Sequence, residues 1–331
     1  MKNFFFGIMA YNEQDYIIET LESIKYQVQE YGKGISVDLV VIDDCSKDLT
    51  AEYANKWVDN NIGLFHTASV LKNYENIGTV CNYNKLIQKA NGSQFKILAG
   101  DDIFGSRNIF EMYSGLDSSS ITSFCELTLT DGIVGYKKLV TRNYYYEMKK
   151  RVFNDDYYVN HYRISPWFST PSSIYTKELY DSSGCKDYNS QFKLVEDMPS
   201  FYRMLQNSGT KVKLFPFPIV LYRVRSTSTS HKKNNSPYHR DKNKIYRDYV
   251  VDARGLWKVI IKSKYFSHLP TALRLSTIYT RIRSLWILLY SMFSLSYGRF
   301  ISALNKDVLK EQEHFNLIHD RACAFLNNNF G

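Results

Sequence analysis

"KILAGDDIF" (residues 96–104) is an apolar run that reaches a small residue and a glycine, then two adjacent aspartates, before turning apolar again. A short continuous apolar run reads as a strand buried on both faces, the kind that belongs to a parallel sheet covered by helices. The same grammar occurs twice upstream. "FFFGIM" (4–9) runs into Tyr11-Asn12-Glu13, and "VDLVVI" (37–42) runs into Asp43-Asp44. Helical spacing follows each: Ile17, Leu21, Ile24 and Val28 after a capping-box-like Asn12 and Asp15, then Tyr53, Ala54, Trp57 and Val58 within Leu49 to Val58. A third helix, about Thr79 to Ala90, stops with Gly92 just past its end and leads into "FKILA" (95–99). Such alternation predicts an α/β fold with a parallel sheet. Ligands of such sheets bind beyond the carboxyl ends of the strands, so the three polar clusters should share one rim.

Neither a GxGxxG after the first strand nor a GxxxxGK[ST] anywhere is present, which excludes the dinucleotide fingerprint and the P-loop. Past residue 117, "ITSFCELTL" and "IVGYKKLV" flank the turn "TDG" as a hairpin. "RNYYYEMKKRVFNDDYYVNHYR" (142–163) has no clear period and reads as a surface loop or binding wall. "LVEDMPSFYRMLQNSG" (194–209) reads as a helix with Asp197 at the N-cap, Pro199 in the first turn and Gly209 beyond the end. "VKLFPFPIVLYRVRSTSTSH" follows as a strand broken by Pro216 and Pro218.

The chain is 331 residues long and 44% hydrophobic, enough for a sizeable core, and 42 Lys+Arg against 33 Asp+Glu suit an anionic partner. No nucleic-acid module accompanies that charge, so nucleic acid is not an expected partner. Five scattered cysteines without a CxxC pair point to neither a zinc site nor a disulfide framework. The N-terminal apolar run is too short for a signal peptide, and "SLWILLYSMFSLSYG" (284–298) is too short and too serine-rich to span a bilayer.

Each acidic pair has two readings. Asp101-Asp102 could hold a divalent cation together with a diphosphate, or cap the next turn. Ser46 or Asp48 could cap the helix after Asp43-Asp44, and Glu196-Asp197 could simply favour a helix N-terminus. Their order along the chain matters more than any one pair. "YNEQDYIIETLESI" (11–24), "VVIDDCSKDLT" (40–50), "NIGTVCNYNKLIQKANG" (76–92), "ILAGDD" (97–102), "EDMPSFYRM" (196–204) and "YRVRSTSTS" (222–230) together resemble the family-two glycosyltransferases over roughly residues 1 to 230.

That resemblance implies a GT-A fold, a Rossmann-like, mostly parallel sheet with flanking helices, over residues 1–235, and inverting transfer from a nucleotide sugar, most simply UDP-linked. It places Ala10, Tyr11, Asn12, Glu13, Asp43, Asp44, Asn76, Gly78, Asn82 and Asp101 around the donor nucleotide, with Asp44 on the base. It places Asp102 and Asp101 on Mn²⁺ or Mg²⁺, and Asp197 as general base with Glu196 beside it. Many relatives carry a histidine after the "YR" of the last motif; here Arg225 stands there and is assigned to the diphosphate, while His231, six residues later, is either a displaced metal ligand or a solvated loop residue. Tyr144, Tyr145, Tyr146, Tyr157, Tyr158 and Trp167 lie where such enzymes build the acceptor side. The expected acceptor is a glycan or lipid-linked glycan of capsule or O-antigen type. A protein acceptor, or a catalytically silent nucleotide-sugar-binding scaffold, are the alternatives.

Residues 236–331 read as a basic, mainly helical region. It could lie on an anionic membrane surface, which would make the protein cytoplasmic and peripheral on the inner face of the cell membrane, or pack on the first domain or a second copy as a homodimer.

Overall fold

The computed structural model describes residues 2–90, 94–136, 155–166, 168–225, 236–266, 271–292 and 295–331. Four parallel strands make the first sheet in the order β3-β2-β1-β4: β1 (Lys2–Ala10), β2 (Ile35–Asp43), β3 (Thr67–Lys72) and β4 (Gln94–Ala99). The crossovers are α1 (Ile17–Tyr31), α2 (Thr50–Asn61) and α3 (Thr79–Lys89). β1 is apolar on both faces because both are covered. Phe4, Phe6 and Ile8 pack with Ile17, Leu21 and Ile24 of α1 and Trp57 of α2, whereas Phe5 packs with Tyr83 and Leu86 of α3. Each such side chain contributes roughly 1.5–3 kcal/mol of burial. The edge strand β3 was not legible in the sequence, since only alternate residues of "TASVLK" are even partly covered.

The second sheet of the described residues runs β5-β9-β6-β7, from β5 (Ile103–Phe104), β6 (Ser120–Thr130), β7 (Ile133–Tyr136) and β9 (Lys211–Arg223), with β8 (Ser173–Ile174) also paired to β6. β6 and β7 form the expected hairpin; its two turn residues, Asp131 and Gly132, both take positive φ, as a two-residue hairpin turn requires. β9 is not broken at its prolines. Its register jumps from Phe124↔Phe215 to Cys125↔Pro218, so the Pro216 segment bulges while pairing resumes beyond it.

Three further expectations are corrected. The Asn12–Asp15 capping box does not form: Asn12 takes φ 55 and α1 starts at Ile17 with Tyr16 as N-cap and no side-chain cap. The stretch read as a loop over 142–163 contains helix α5 (Asp155–Ile164), which follows the short α4 (Ile109–Ser114) and buries His161, Tyr162 and Ile164. The short helices α6 (Lys177–Ser182) and α7 (Cys185–Asn189) precede α8 (Asp197–Gln206), in which Asp197 is the first helical residue and Glu196 the N-cap. Gly92 lies outside the described residues.

The C-terminal helices are α9 (Pro237–Asp252), α10 (Gly255–Tyr265), α11 (Leu275–Met292) and α12 (Leu295–Phe330). Ile245 and Tyr249 of α9 and Ile261 of α10 join the core that contains Tyr162, Phe201 and Tyr202. α12 returns across α1 and the β6–β7 hairpin. Its buried Glu311 accepts from Ser106 N (2.9 Å) and Ser106 Oγ (2.7 Å), His314 donates to Phe104 O (3.0 Å), and Gln312 bonds Val134 N and Gly132 O of the hairpin.

Candidate active site

Register puts the three polar clusters side by side, since Ala10 pairs with Asp43 and Met9 with Ala99. The loops after β1 and β2 are laced together. Asn12 N donates to Ser46 Oγ (2.8 Å), Glu13 N to Thr50 Oγ1 (2.7 Å), and Lys47 N to Asn12 Oδ1 (2.9 Å). Ser46 and Asp48 are therefore spent on this lacing and on Thr50, and α2 begins without a side-chain cap. Tyr11, 43% exposed, stands clear at the mouth.

Asp44 organises the next loop. Its two oxygens accept from Asn73 Nδ2 (2.9 Å), Ile77 N (3.0 Å) and Gly78 N (2.9 Å). Asn82 closes the same network, accepting from Asn73 Nδ2 and donating to Gly78 O. Gly78 has φ 88, and a Cβ there would lie 2.6 Å from Lys193 O, so the residue is constrained by conformation and by close approach together. Asn76 is exposed beside it. Asp43 is buried, with Oδ2 accepting from Ser46 N and Oδ1 without a partner.

Two arginines frame the aspartates that follow β4. Arg223 N donates to Asp102 Oδ1 (2.9 Å) and Arg223 Nε to Asp101 O (2.8 Å), while its Nη2 meets the buried Glu19; Glu19 in turn holds His319 of α12 through Nδ1 at 2.6 Å. Arg225 Nη2 bridges Asp101 Oδ2 (2.6 Å) and Glu13 Oε1 (2.8 Å). Burial, reinforced by Asp101, pushes the Asp102 carboxyl well above its usual range; burial also raises Asp101 against the opposing pull of Arg225 and Arg223. Glu13 is pushed up to about 7 by burial and by Asp101.

Asp102 Oδ2 and Glu13 Oε2 are buried without hydrogen-bond partners. A buried carboxylate oxygen with no donor is costly unless something cationic meets it. Among the described residues no group of three or more His, Cys, Asp or Glu side chains is gathered as a ready-made metal cage. One or two carboxylates completed by phosphate oxygens is how Mg²⁺-type ions are usually held, so the donor set fits a hard divalent cation. His231 lies outside the described residues.

Glu196 and Asp197 are half-buried, and Tyr222 lies within electrostatic reach of Asp197 as well as of Asp101 and Asp102. Asp197 Oδ1 accepts from Met198 N (2.6 Å), and the Thr170 side chain bonds Glu196. Enclosure raises both carboxyls, and the charge of Asp197 raises Glu196 further. The preceding segment is pinned from two sides: Lys193 N and Leu194 N donate to Asp241 Oδ2 of α9 (2.9 and 2.7 Å), and Lys193 O accepts from Val80 N. Thr170 is set by Lys96, whose buried Nζ donates to Thr170 O (2.6 Å) and Ser173 O (2.7 Å), burial lowering its pKa to about 7. Glu126 of β6 lies within electrostatic reach of both Asp102 and Asp197. The tyrosines over 144–146 and Trp167 lie outside the described residues, and Tyr157 and Tyr158 fall within α5. Four tyrosines feel the charge of Asp197: Tyr162, which is fully buried, and Tyr222, Tyr238 and Tyr246, which are partly exposed.

The sequence reading missed Glu19, Lys96, Glu126, Thr170, Arg223 and Asp241. Glu19 and Arg223 lay inside the quoted family motifs, in "YNEQDYIIETLESI" and "YRVRSTSTS". The others are isolated polar residues whose partners lie far along the chain.

The family model for glycosyl transferase family 2 matches residues 6–179, more than half of the chain and all three polar clusters that follow β1, β2 and β4. The chain belongs to glycosyl transferase family 2. No curated protein matches this glycosyltransferase. Among solved structures it is similar to S. aureus TarS 1-349 in complex with UDP-GlcNAc, at 16% identity and TM-score 0.55, over 94% of this chain and 90% of that one. It is also similar to the mannosyltransferase PcManGT from Pyrobaculum calidifontis in complex with GDP-Man and Mn²⁺, at 15% identity and TM-score 0.51, over 98% and 86%. GalNAc-T7 with UDP, GalNAc and Mn²⁺ matches at 15% and 0.51, over 90% of this chain and 57% of that one. At such identities the likeness concerns the fold, which is GT-A as the sequence implied.

Proposed function

We propose that this glycosyltransferase is metal-dependent and inverting, moving one sugar from a UDP-linked donor to a hydroxyl of a glycan or lipid-linked glycan in capsule- or O-antigen-type synthesis. The observation that carries the reading is the pairing of Asp102, with its unpartnered buried oxygen, and the enclosed Glu196–Asp197 pair across one site. The surface-polysaccharide setting rests on the sequence resemblance. The solved relatives, crystallised with UDP-GlcNAc or with GDP-Man and Mn²⁺, support a nucleotide-sugar donor and a divalent ion.

In this reading Tyr11 faces the base, and Asp44, besides fixing the loop over 73–78, borders it. Asp102, with Asp101 beside it, would hold Mn²⁺ or Mg²⁺, which when bound supplies Lewis-acid stabilisation of the leaving diphosphate. Arg225 exchanges its contacts with Glu13 and Asp101 for charge-assisted hydrogen bonds to diphosphate oxygens. Asp197 takes the proton of the acceptor hydroxyl as that oxygen bonds to the anomeric carbon. The bond from that carbon to the diphosphate oxygen breaks on the opposite side, which inverts the centre. A raised carboxyl suits this work, because a proton acceptor poised near neutral pH is more effective than an ordinary aspartate. Tyr222, Tyr238 and Tyr246, which are partly exposed, offer apolar faces to sugar rings.

UDP release measured over a panel of UDP-sugars and glycan acceptors, with Mn²⁺ and with chelator, tests the proposal. Metal-dependent release that disappears in Asp197→Asn supports it. Equal release with chelator would remove the metal, and undiminished release in Asp197→Asn would move the base elsewhere.

A further inference from the structure

Between Asp252 and Asp307 the chain carries nine Lys and Arg and no Asp or Glu over 54 residues, where the whole-chain average of 33 acids would put about five. The structure folds the first part of this stretch into a two-helix face. α10 is anchored on one side by buried Ile261 and by Tyr265 stacked on Tyr246, and α11 packs on it through Trp257 against Tyr279 and a Ser276 N to Ser263 Oγ hydrogen bond. Both helices present large apolar side chains outward. Leu256 and Val259 of α10 are 73% and 52% exposed. Leu275, Ile278, Ile282 and Leu285 of α11 are 40–59% exposed, and their spacing of three, four and three residues puts them on a single helical face. Lys258, Lys262 and Arg281 are exposed among them.

We infer that this face of α10 and α11 docks on an anionic lipid bilayer. An apolar stripe this exposed needs a cover. A second copy of the same face would oppose cations with cations and bring no acid to compensate, whereas lipid phosphates complement them. The apolar residues enter the interfacial zone while the lysine and arginine stems reach back to the headgroups. The mode is attachment to one leaflet, since among the described residues no helix is long and apolar enough to cross a membrane. α9, whose Lys242 acts on Asp197, runs into α10 through only Ala253 and Arg254. Docking therefore brings the helix beside the base close to the bilayer, which favours an acceptor carried on a lipid. The surface assignment stands alone; only this last consequence rests on the transferase reading.

The test is flotation of the full chain with vesicles of phosphatidylcholine alone and of phosphatidylcholine mixed equally with phosphatidylglycerol, without nucleotide or sugar. Binding to the mixed vesicles only is expected, weakened at least about tenfold by Lys258→Glu/Lys262→Glu and lost in Ile278→Glu/Ile282→Glu, with unfolding midpoints unchanged. Should the isoleucine variant unfold, Ile278→Ser/Ile282→Ser replaces it. Equal binding to both vesicles, or binding insensitive to these changes, overturns the inference. So does absence of vesicle binding, and a solution dimer that Ile278→Glu/Ile282→Glu dissociates would then make the stripe a contact between copies. UDP release assayed with a soluble acceptor and no vesicles shows separately whether the transferase reading fails.

Discussion

Asp44 and Asp197 are both carboxylates at the ends of secondary-structure elements in one site, yet their surroundings differ. Asp44 spends its oxygens on three donors from the loop over 73–78, and the neighbouring Asp101 is ion-paired to Arg225. Asp197 accepts one backbone hydrogen bond, its nearest carboxylate is Glu196, and among the described residues it makes no ion-pair contact. In the proposed reading the donor side is thus a charge-matched frame, while the acceptor side keeps a carboxyl whose proton affinity is raised by enclosure. A site that must hold one charged substrate still and remove a proton from another needs both environments.

The comparison breaks first at Asp197. Asp197→Asn should cost about a hundredfold to ten-thousandfold in kcat while leaving donor affinity unchanged, as read by single-turnover kinetics beside calorimetric donor titration. A matching loss of donor affinity would put Asp197 on the donor side instead.

Next comes the frame. Arg223→Met leaves the buried Glu19 with His319 but without its guanidinium, so a loss of up to about 3–5 kcal/mol is expected in denaturant unfolding. Adding Glu19→Gln should recover part of it. Full additivity of the two losses would show that the pair is not coupled.

pH sharpens the contrast. The Glu196–Asp197 pair is raised to about 8 and about 6, so the rate at saturating donor should climb through that range and then level off. Folding favours the protonated forms, so the pair's contribution to stability is fully present below the unfolded values near about 4 and is lost as pH rises through about 6 to 8. A flat rate profile across this range would contradict the base assignment.

The smallest effect is expected far from both halves. Asp307→Asn removes a partly exposed ion pair with Arg107 and should cost at most about 1 kcal/mol in urea unfolding, with transfer unaffected.

Much of the rim beyond β1, β2 and β4 was legible because parallel strands buried on both faces leave continuous apolar runs, and their polar ends must then fall side by side. The same logic hid β3, an edge strand with little to bury. Asn12 looked like a helix cap, but the lacing of two loops placed it in the left-handed region and spent its side chain on Lys47. Over 142–163 the aromatic residues masked helical period, and α5 is held by tertiary contacts such as Arg163 to Tyr202. The frame behind Asp102 could not be read at all, because Glu19 meets partners 204 and 300 residues away. Nothing local in "IIETLESI" distinguishes that glutamate from a solvated one.

Thermal unfolding of the purified protein against UDP, GDP, CDP and dTDP, each with Mn²⁺ and with chelator, tests the central claim most directly. At about a hundred times its dissociation constant a ligand stabilises the native state by roughly 2.7 kcal/mol, a midpoint shift of about 4 °C for a chain of this size. The account predicts that shift for UDP with Mn²⁺, and its loss with chelator or in Asp102→Ala. An undiminished UDP shift with chelator, or none with any nucleotide, would contradict it.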